Sequence, residues 1–588
     1  MRRIIVISIA VIVGVLVLAA GWTAYRAKTA TSMASDLTGT INTLRTDATS
    51  GNLDAVSKDI TTLQEQASSL HSVTGDPLWG IASILPVVGG KASAARTLGA
   101  AADSVATAAT PLADILPHFS KTALAASGGT IDVKALTDLG PVLSDLSSTS
   151  TQAAKDLSSI DLSAVSTSQA EQITKASTQL AAAAPTLDTA AKATPAIASF
   201  LGANGPRTYY LGLENLAEAR GTGGIIGAYA IVKADNGKIS MQSAAPRKVL
   251  DEAGARIPDG NLPQEFRDLW GADATEWAGL NLSPHFPYTG QLIVDGWKSY
   301  ANQNLDEVVL LDQHVVAALL AGTGPVTVQG VTVDSTNAFQ FLTKDIYSQF
   351  PVVADKDAVV VELVQQMFQK LTAGQFSVAP MVKALQEPLS NGDLLMYSTH
   401  DDEQTVLAGY SVAGIVPDDA KPYSIVAINN GSGNKMEAYV SVDVAYDGGV
   451  CIAGTRLSTI NITLHNSAPV SGLPEYVVGR RDLPADERDK VSASSTKELL
   501  YVYGPVGSTN ALTTIDDSIL ATSEGLERNH PVWRIDVVVQ PGQTRTVSVQ
   551  LQQVVDATTP DSLVVLGKQP MAIAQKNSVT PGTACTAS

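Results

Sequence analysis

The sequence is poor in the side chains that most often form zinc centres. Its 588 residues include 2 cysteines and 7 histidines. The histidines are scattered and do not follow a ligand spacing, whereas zinc is usually held by three or four such ligands at set spacings. We therefore predict no metal site and no resident cofactor.

The two cysteines that are present allow a prediction of their own. The two cysteines are Cys451 and Cys585, and an even, minimal count outside the cytoplasm favours a disulfide. Such a bond would pin the carboxyl-terminal residues to the last domain. The alternative is two unrelated thiols.

Basic charge is also in short supply. The chain has 39 Lys and Arg against 57 Asp and Glu, for a net charge of −18. Nucleic-acid binding needs a concentrated basic surface, so no nucleic-acid partner is expected. Charged residues make up only 16% of the chain, which suits a soluble extracytoplasmic protein better than a disordered polyelectrolyte.

Standard catalytic motifs are missing. There is no Walker A lysine loop and no Gly-x-Ser-x-Gly elbow. Gly221 and Gly223 resemble the start of a dinucleotide fingerprint, but its third glycine would fall at position 226, whereas this chain has glycine at 227. A strand-like run follows instead of a helix. No helix N-terminus would then meet a pyrophosphate, so a Rossmann site is excluded.

One long apolar run is present at the amino end. Arg2 and Arg3 precede Ile4–Ala20, which is uncharged and about long enough to cross a bilayer as a helix. We predict that residues 1–28 form an uncleaved single-pass anchor, with a cytoplasmic N-terminus and the bulk of the chain outside. A cleaved signal peptide is the alternative.

The remaining chain predicts a multidomain α and β protein. Ala, Ser and Thr with apolar residues at three-and-four spacing predict a helical bundle stalk at 29–200. Strands alternating with helices, with one strand at Val326–Val333, predict an α/β domain at 205–415. Period-two patterning, with strands at Met436–Tyr446 and Thr455–His465 among others, predicts an antiparallel β-sandwich at 421–567. A polar, poorly patterned tail follows at 568–588.

The densest polar cluster is Asn215–Gly227, NLAEARGTGGIIG, between the predicted strands Thr208–Glu214 and Ile225–Lys233. Its glycines permit positive φ and close backbone approach, so the pattern predicts a turn. Arg220 inside such a turn gains backbone N–H groups as co-donors to an anion. The ligand-binding candidates here are Asn215, Glu218, Arg220, Gly223 and Gly224. The alternative is a purely structural role, in which these residues meet the steric demands of the turn.

A second constellation is Asp273–Pro287, DATEWAGLNLSPHFP. Pro284 and Pro287 restrict the backbone, and shaped loops with polar groups are often functional. The candidates are Asp273, Asn281, Ser283 and His285. The alternative is that these side chains satisfy one another and the local backbone.

Asp312 ends a strand predicted at Leu305–Asp312 and precedes a helix predicted at Gln313–Ala321. A carboxylate in this position either faces a cleft or caps the helix. We predict that it is a cap.

With these motifs, the chain resembles the DUF4012 family, membrane-anchored bacterial proteins of unassigned molecular function. Asn215–Gly227 is similar to the family's signature, with Ile225 in place of the usual aromatic residue. Leu280–Pro287 is similar to its Asn-x-Ser-Pro-Asp-Phe-Pro loop, with His285 where an Asp is usual, which puts an acid or metal role there in doubt. Asp76–Gly89 is similar to its stalk element.

The family implies no reaction. A weaker analogy is to the LytR–CpsA–Psr phosphotransferases, which share the single-pass anchor and an extracytoplasmic α/β domain. That analogy implies that Arg220 grips a lipid-linked pyrophosphate while carboxylates hold Mg²⁺.

Two functions are therefore open. The predicted one is a cell-envelope protein that binds a surface glycan, a glycolipid or a partner protein. The alternative is an extracytoplasmic phosphotransferase or hydrolase acting on lipid-linked envelope polymers. The alternative requires Arg220, Asp273 and at least one further arginine to share a pocket.

Overall fold

A computed structural model describes most of the chain beyond the amino end. The described residues are 39–40, 42–48, 50–75, 83, 89–120, 123–124, 127–254, 256–419, 421–555 and 564–585. The predicted anchor at 1–28 and most of Asp76–Gly89 lie outside them. In the part that is described, no helix combines the length and the apolar character needed to cross a membrane.

The protein is a mixed α and β multidomain protein with helices and several sheets. It divides into two compact units. The first holds the described residues up to Arg207, together with Lys233–Ser240 and Gln369–Val382. The second holds Thr208–Val232, Met241–Phe368 and the chain from Lys383 onward.

Helices make up most of the first unit. They are α1 (Leu53–Thr74), α2 (Gly89–Ala109), α3 (Pro111–Ile115), α4 (Val133–Ser158) and α5 (Thr167–Phe200). In α1 the stripe Val56, Ile60 and Leu63 is buried, as a 3.6-residue period requires. Ser166 and Gln169 form a capping box that starts α5. Helices therefore occur where the three-and-four spacing predicted them.

The strands that precede the sandwich form a sheet and a hairpin. They are β1 (Arg207–Arg220), β2 (Gly223–Asp235), β3 (Lys238–Pro246), β4 (Glu307–Leu311), β5 (Val326–Val328), β6 (Val331–Val333) and β7 (Leu394–Ser398). The sheet has the order β3-β2-β1-β4-β7, and β5 pairs with β6.

The register of this sheet places polar residues along one edge. β1 runs parallel to β4, with Leu213 opposite Leu311. β4 runs antiparallel to β7, with Leu311 opposite Leu394. The residues just beyond these pairs are therefore neighbours at the same edge: Glu214, Asp312 and Asp393.

Helices flank these strands along the chain. They are α6 (Lys248–Glu252), α7 (Gln264–Trp270), α8 (Phe286–Ala301), α9 (Gln313–Thr323), α10 (Ala338–Gln340), α11 (Ile346–Gln349), α12 (Val353–Thr372), α13 (Val378–Asn391), α14 (Asp401–Leu407) and α15 (Ala485–Arg488). A π-helical turn, Phe341–Asp345, joins α10 to α11.

Two further sheets complete the second unit. Their strands are β8 (Tyr423–Asn430), β9 (Val440–Ile452), β10 (Thr455–Asn466), β11 (Thr496–Tyr503), β12 (Ser508–Ile515), β13 (Ser518–Ile519), β14 (Ser523–Glu527), β15 (His530–Val539), β16 (Thr544–Val554), β17 (Val565–Leu566) and β18 (Lys576–Thr580). The orders are β13-β12-β16-β10-β9-β18 and β14-β15-β11-β8-β17.

The two sheets share one apolar core, in which Ile460 and Val549 of one sheet pack with Ile428, Leu500 and Trp533 of the other. Period-two alternation supplies these inward residues. The predicted disulfide is confirmed: Cys451 on β9 is bonded to Cys585.

The structure corrects four expectations on local structure. Asn215–Arg220, predicted as a turn, is the second half of β1. Val326–Val333, predicted as one strand, is the β5–β6 hairpin. The strand predicted from Met436 begins at Val440, after a 3₁₀ turn. In the tail, Lys576–Thr580 pairs with β9 as β18, because parallel backbone pairing does not require an apolar pattern.

Candidate functional site

The signature segment folds into the β1–β2 hairpin, with a turn of only Gly221 and Thr222 between the strands. Gly223 has a φ of 148°, and a Cβ on Gly224 would lie 2.3 Å from the backbone of Asn215. Both candidates are therefore glycine for reasons of backbone conformation and close strand packing. Asn215 donates a hydrogen bond from Nδ2 to the Tyr347 hydroxyl at 2.8 Å.

A buried charge cluster lies at the end of β1. Arg220 donates from Nη2 to Glu218 Oε1 at 2.8 Å, from Nη1 to the Ala219 carbonyl at 2.8 Å and from Nε to the Ala278 carbonyl at 3.2 Å. Lys435 forms an ion pair with the other oxygen of Glu218. Burial lowers the pKa of Arg220 to about 10 and that of Lys435 to about 8. The guanidinium is committed to protein partners.

The second constellation packs directly against this hairpin. Asn281 Nδ2 lies 2.9 Å from Glu214 Oε1, 2.9 Å from Thr222 Oγ1 and 2.8 Å from the Gly224 carbonyl. Asn281 is fully buried, and burial raises the pKa of Glu214 to about 8. Asn429 completes the junction by accepting from the Gly221 N–H and donating to the Leu282 carbonyl.

Ser283 and His285 are buried as well. Ser283 Oγ donates to Glu527 Oε1 at 2.7 Å, and His285 Nδ1 accepts the Val416 N–H at 3.1 Å. Burial, followed by the charge of Arg528, lowers the pKa of His285 to about 3. The imidazole is therefore neutral and serves as a hydrogen-bond acceptor for the backbone.

The structure thus brings the two predicted motifs together, but it does not bring Asp273 to Arg220. Asp273 is exposed, whereas Arg220 is 8% exposed. Of the other arginines in this region, Arg247 pairs with Asp251 and Arg267 donates to the Asp259 and Leu262 carbonyls. The ligand-binding role of the motif residues stays a prediction.

A different polar group lies where β4 ends and β7 begins. Asp312 caps α9, accepting from the His314 N–H at 2.8 Å and the Val315 N–H at 3.3 Å, which confirms the predicted cap. The Asp312 N–H donates to the Asp393 carbonyl at 3.2 Å, because these residues extend the antiparallel β4–β7 pair by one position.

The side chains of Asp312, His314 and Asp393 converge. His314 Nδ1 lies 3.2 Å from Asp312 Oδ2 and 3.9 Å from Asp393 Oδ2. One ligand-type atom from each residue lies within 4.8 Å of the others. The His314 ring also stacks on Phe339, with centroids 4.4 Å apart, which holds its orientation.

Within the trio, the pKa values of Asp393 and His314 are shifted by burial and by their neighbours. Burial, followed by the charge of Asp312, raises the pKa of Asp393 to about 7. Burial disfavours the charged form of His314, but its hydrogen bond to Asp312 and the charges of nearby carboxylates together outweigh that effect and raise its pKa. The charges of Asp312 and Asp393 also reach Glu214, where they help burial to raise the pKa of that carboxyl.

His314 and Asp393 border a cleft of about 520 Å³, a size typical of small-molecule sites, and Asp312 lies buried behind them. The lining of the cleft combines charged groups and apolar surface, including His314, Phe339, Glu387, Asp393, Lys568 and Met571. The cleft therefore offers a ligand both polar and apolar contacts.

Sequence reasoning anticipated only Asp312 of this group. Asp393 lies before LLMYS, a five-residue apolar run that was not recognised as a strand. Recognising this run as a strand paired antiparallel with β4 would have placed the two carboxylates next to each other. The cluster is a candidate metal-ligating group where the sequence predicted none.

The family comparison covers much of this unit. Residues 204–347 match the family model DUF4012, described as a protein of unknown function. The chain carries a DUF4012 region. The predicted resemblance is thereby confirmed. No curated protein and no solved structure matches the chain.

The DUF4012 region contains both sequence motifs and two members of the trio, Asp312 and His314. Asp393, Glu387 and Lys568 come from outside it. The cleft is therefore built jointly by the DUF4012 region and by later segments of the second unit.

Proposed function

We propose that the protein is a single-pass membrane-anchored protein of the bacterial cell envelope, and that its cleft beside the DUF4012 region binds a surface glycan or the headgroup of a glycolipid. The cleft at His314 and Asp393 is the observation that carries the binding function. It offers a volume suited to one or two sugar rings, about 300–1,000 Å³ being usual for ligand sites.

The lining of the cleft suits a saccharide. Glu387 and Asp393 provide acceptors for hydroxyl groups, and His314 and Lys568 provide donors. Phe339 and Met571 provide apolar surface against the C–H face of a sugar ring. A ligand bound there exchanges hydroxyl–water bonds for charge-assisted ones.

The proposed location has separate support. Ile4–Ala20 is an apolar run preceded by Arg2 and Arg3, as in an anchor with its amino end inside. The bond between Cys451 and Cys585 belongs to a class that persists in oxidising compartments outside the cytoplasm.

The phosphotransferase alternative has less support. Its expected anion site, Arg220, donates to Glu218, Ala219 and Ala278. A pyrophosphate would have to displace all of these bonds inside a buried cluster, at the cost of unpaired buried groups.

Ligand binding is testable with the full chain in detergent, using saturation-transfer NMR against a panel of cell-envelope polysaccharide fragments. Ala321→Trp fills the cleft, and we expect it to weaken glycan binding by at least about tenfold. Ala301→Trp, at the exposed end of α8, is the matched control and should bind as the wild type does.

Two outcomes would overturn the proposal. One is that no fragment binds, or that binding is equally strong in Ala321→Trp. The other is that the chain is cytoplasmic, shown by resistance to an external protease in intact cells whose envelope has been permeabilised only at the outer layer.

A further inference from the structure

We propose that Asp312, His314 and Asp393 bind one divalent transition-metal cation at the floor of the cleft. The inference stands apart from glycan binding, because it depends only on the geometry and charge of these three side chains and is tested with the metal alone.

The distances suit shared coordination. Metal–nitrogen and metal–oxygen bonds of about 2.0–2.2 Å place neighbouring ligand atoms about 3.0–3.5 Å apart. His314 Nδ1 lies 3.2 Å from Asp312 Oδ2 and 3.9 Å from Asp393 Oδ2. The carboxylates of Asp312 and Asp393 also have ligand-type atoms within 4.8 Å of each other, so a small side-chain rearrangement closes the set.

The ligands are held by rigid elements. Asp312 and Asp393 extend the paired strands β4 and β7 and are joined by a backbone hydrogen bond of 3.2 Å. His314 lies in the first turn of α9, with its ring stacked on Phe339. Preorganised ligands of this kind lose little freedom when a metal binds.

Asp393 supplies an independent indication of a ligand. It is 4% exposed, lines the cleft, and its carboxylate accepts no hydrogen bond from the residues that the structure describes. Its nearest described counter-charge is His314 Nδ1 at 3.9 Å. A buried carboxylate without donors is costly, and a cation bound from the cleft would satisfy it.

The surrounding charges support a cation. Asp312 and Asp393 are both acidic, and Glu387 adds a further carboxylate from α13. The opposing groups are His314 itself and the exposed Lys568. Before a metal binds, acidic groups therefore outnumber the basic ones around the floor of the cleft.

The ligand set indicates the kind of metal. Ca²⁺ prefers six to eight oxygen ligands, whereas a mixture of imidazole and carboxylate suits Zn²⁺ or Mn²⁺. Three protein ligands leave at least one position for water or for a ligand oxygen, as in open zinc sites. That position would face the cleft.

The test uses the tag-free full chain in detergent after treatment with a chelator. Calorimetric titration with Zn²⁺ and spin-resonance titration with Mn²⁺ should show one site per chain. We expect Asp393→Asn and His314→Gln to weaken binding by at least about tenfold. Asp312→Asn should do the same while retaining the helix cap, because Asn also caps helices well.

Asp402→Asn is the matched control, since Asp402 is an exposed carboxylate outside the lining of the cleft. It should change affinity by no more than about twofold, as expected for a screened surface charge. Metal-free melting curves establish that each variant is folded. X-ray absorption of the Zn²⁺-loaded wild type provides a readout without any variant and should show imidazole and oxygen ligands.

The proposal would be overturned by the absence of saturable binding of both metals. An absorption spectrum without imidazole would contradict it, as would an effect of Asp402→Asn equal to that of Asp393→Asn. Mg²⁺ binding as tightly as Zn²⁺ and independently of His314 would also exclude the proposed ligand set.

Discussion

Two polar regions of the second unit differ in how their charges are satisfied. At the end of β1, the three donor nitrogens of Arg220 all have protein acceptors, and both oxygens of Glu218 are paired. At the cleft, the side-chain carboxylate of Asp393 lies close to that of Asp312 and accepts no hydrogen bond from the described residues. We call the first region the closed cluster and the second the open trio.

The difference shows what each region is suited to do. A fully satisfied buried network stabilises one arrangement of the elements around it, and the closed cluster connects β1, the Ala278 segment and Lys435. The open trio retains unsatisfied charge beside a cleft, as expected where a ligand is to be bound. In this protein, the segment with the most polar residues in the sequence therefore has a structural role. The residues suited to binding a ligand lie instead where β4 ends and β7 begins.

The largest expected effect comes from breaking the closed cluster. Arg220→Ala leaves Glu218 with only Lys435 as a cationic partner, and removing one partner of a buried pair costs about 3–5 kcal/mol. We expect urea unfolding to show a loss of this size. Arg534→Ala, which removes an exposed ion pair with Asp536, should cost less than about 1 kcal/mol.

If Arg220→Ala were as mild as Arg534→Ala but abolished glycan binding, the closed cluster would be the ligand site and the comparison would be reversed.

Glu527 is another buried acid whose carboxyl group has hydrogen-bond partners, and it should make the unfolding free energy depend on pH. Burial raises its pKa from 4.5 to about 7, although Ser283, Trp270 and Tyr503 donate to it. The folded state then holds a proton that the unfolded state releases, so this contribution to stability is present below pH 4.5 and is lost as the pH rises through about 7. The loss is about 3 kcal/mol.

Unfolding free energies measured from pH 4 to 8 should show a smaller decline for Glu527→Gln than for the wild type. Glu524→Gln, at an exposed position of the same strand, should keep the wild-type slope. Equal slopes in all three proteins would show that Glu527 is already ionised when folded.

Metal should stabilise the protein only through the open trio, and this stabilisation should not depend on the closed cluster. At a free Zn²⁺ concentration about 100 times Kd, binding raises the unfolding free energy by about 2.7 kcal/mol. Asp393→Asn, which should bind at least about tenfold more weakly, should show an increase of about 1.4 kcal/mol or less. Arg220→Ala should keep the full increase, because Arg220 contributes no ligand. A full increase in Asp393→Asn would place the metal elsewhere.

The smallest effect is expected at the hairpin backbone. Gly224→Ala puts a Cβ 2.3 Å from the Asn215 backbone, and forced overpacking costs about 1–3 kcal/mol. Gly260→Ala meets no atom within 4 Å and should stay within about 0.5 kcal/mol. Thermal unfolding of both variants measures the difference, and equal melting temperatures would mean that the strands separate easily at Gly224.

Local patterns predicted much of the fold. The strand predicted at Thr455–His465 is found at Thr455–Asn466, and the helix predicted at Gln313–Ala321 is found at Gln313–Thr323. The Cys451–Cys585 bond was predicted from the cysteine count. These elements follow from periodicity, capping and compartment, which are readable from neighbouring residues.

Non-local features were not readable in this way. The end of β1 is buried on both faces from Ala217 to Arg220, so no period-two alternation appears, and its glycine-rich continuation predicted a turn instead. The contact between Asp312 and Asp393 depends on β7 pairing with a strand far away in sequence. The open trio was therefore missed, although Asp312 itself was identified as a cap.

The segment after β17 has a consequence for when the cleft is formed. Gln569 binds the backbone of Arg220 and Ile428, while Lys568 and Met571 form part of the cleft wall. Because a chain is made amino end first, this wall is added after the strands that support it. A nascent chain that has already folded its DUF4012 region still lacks one side of the cleft, so ligand capture is deferred until synthesis has passed residue 571.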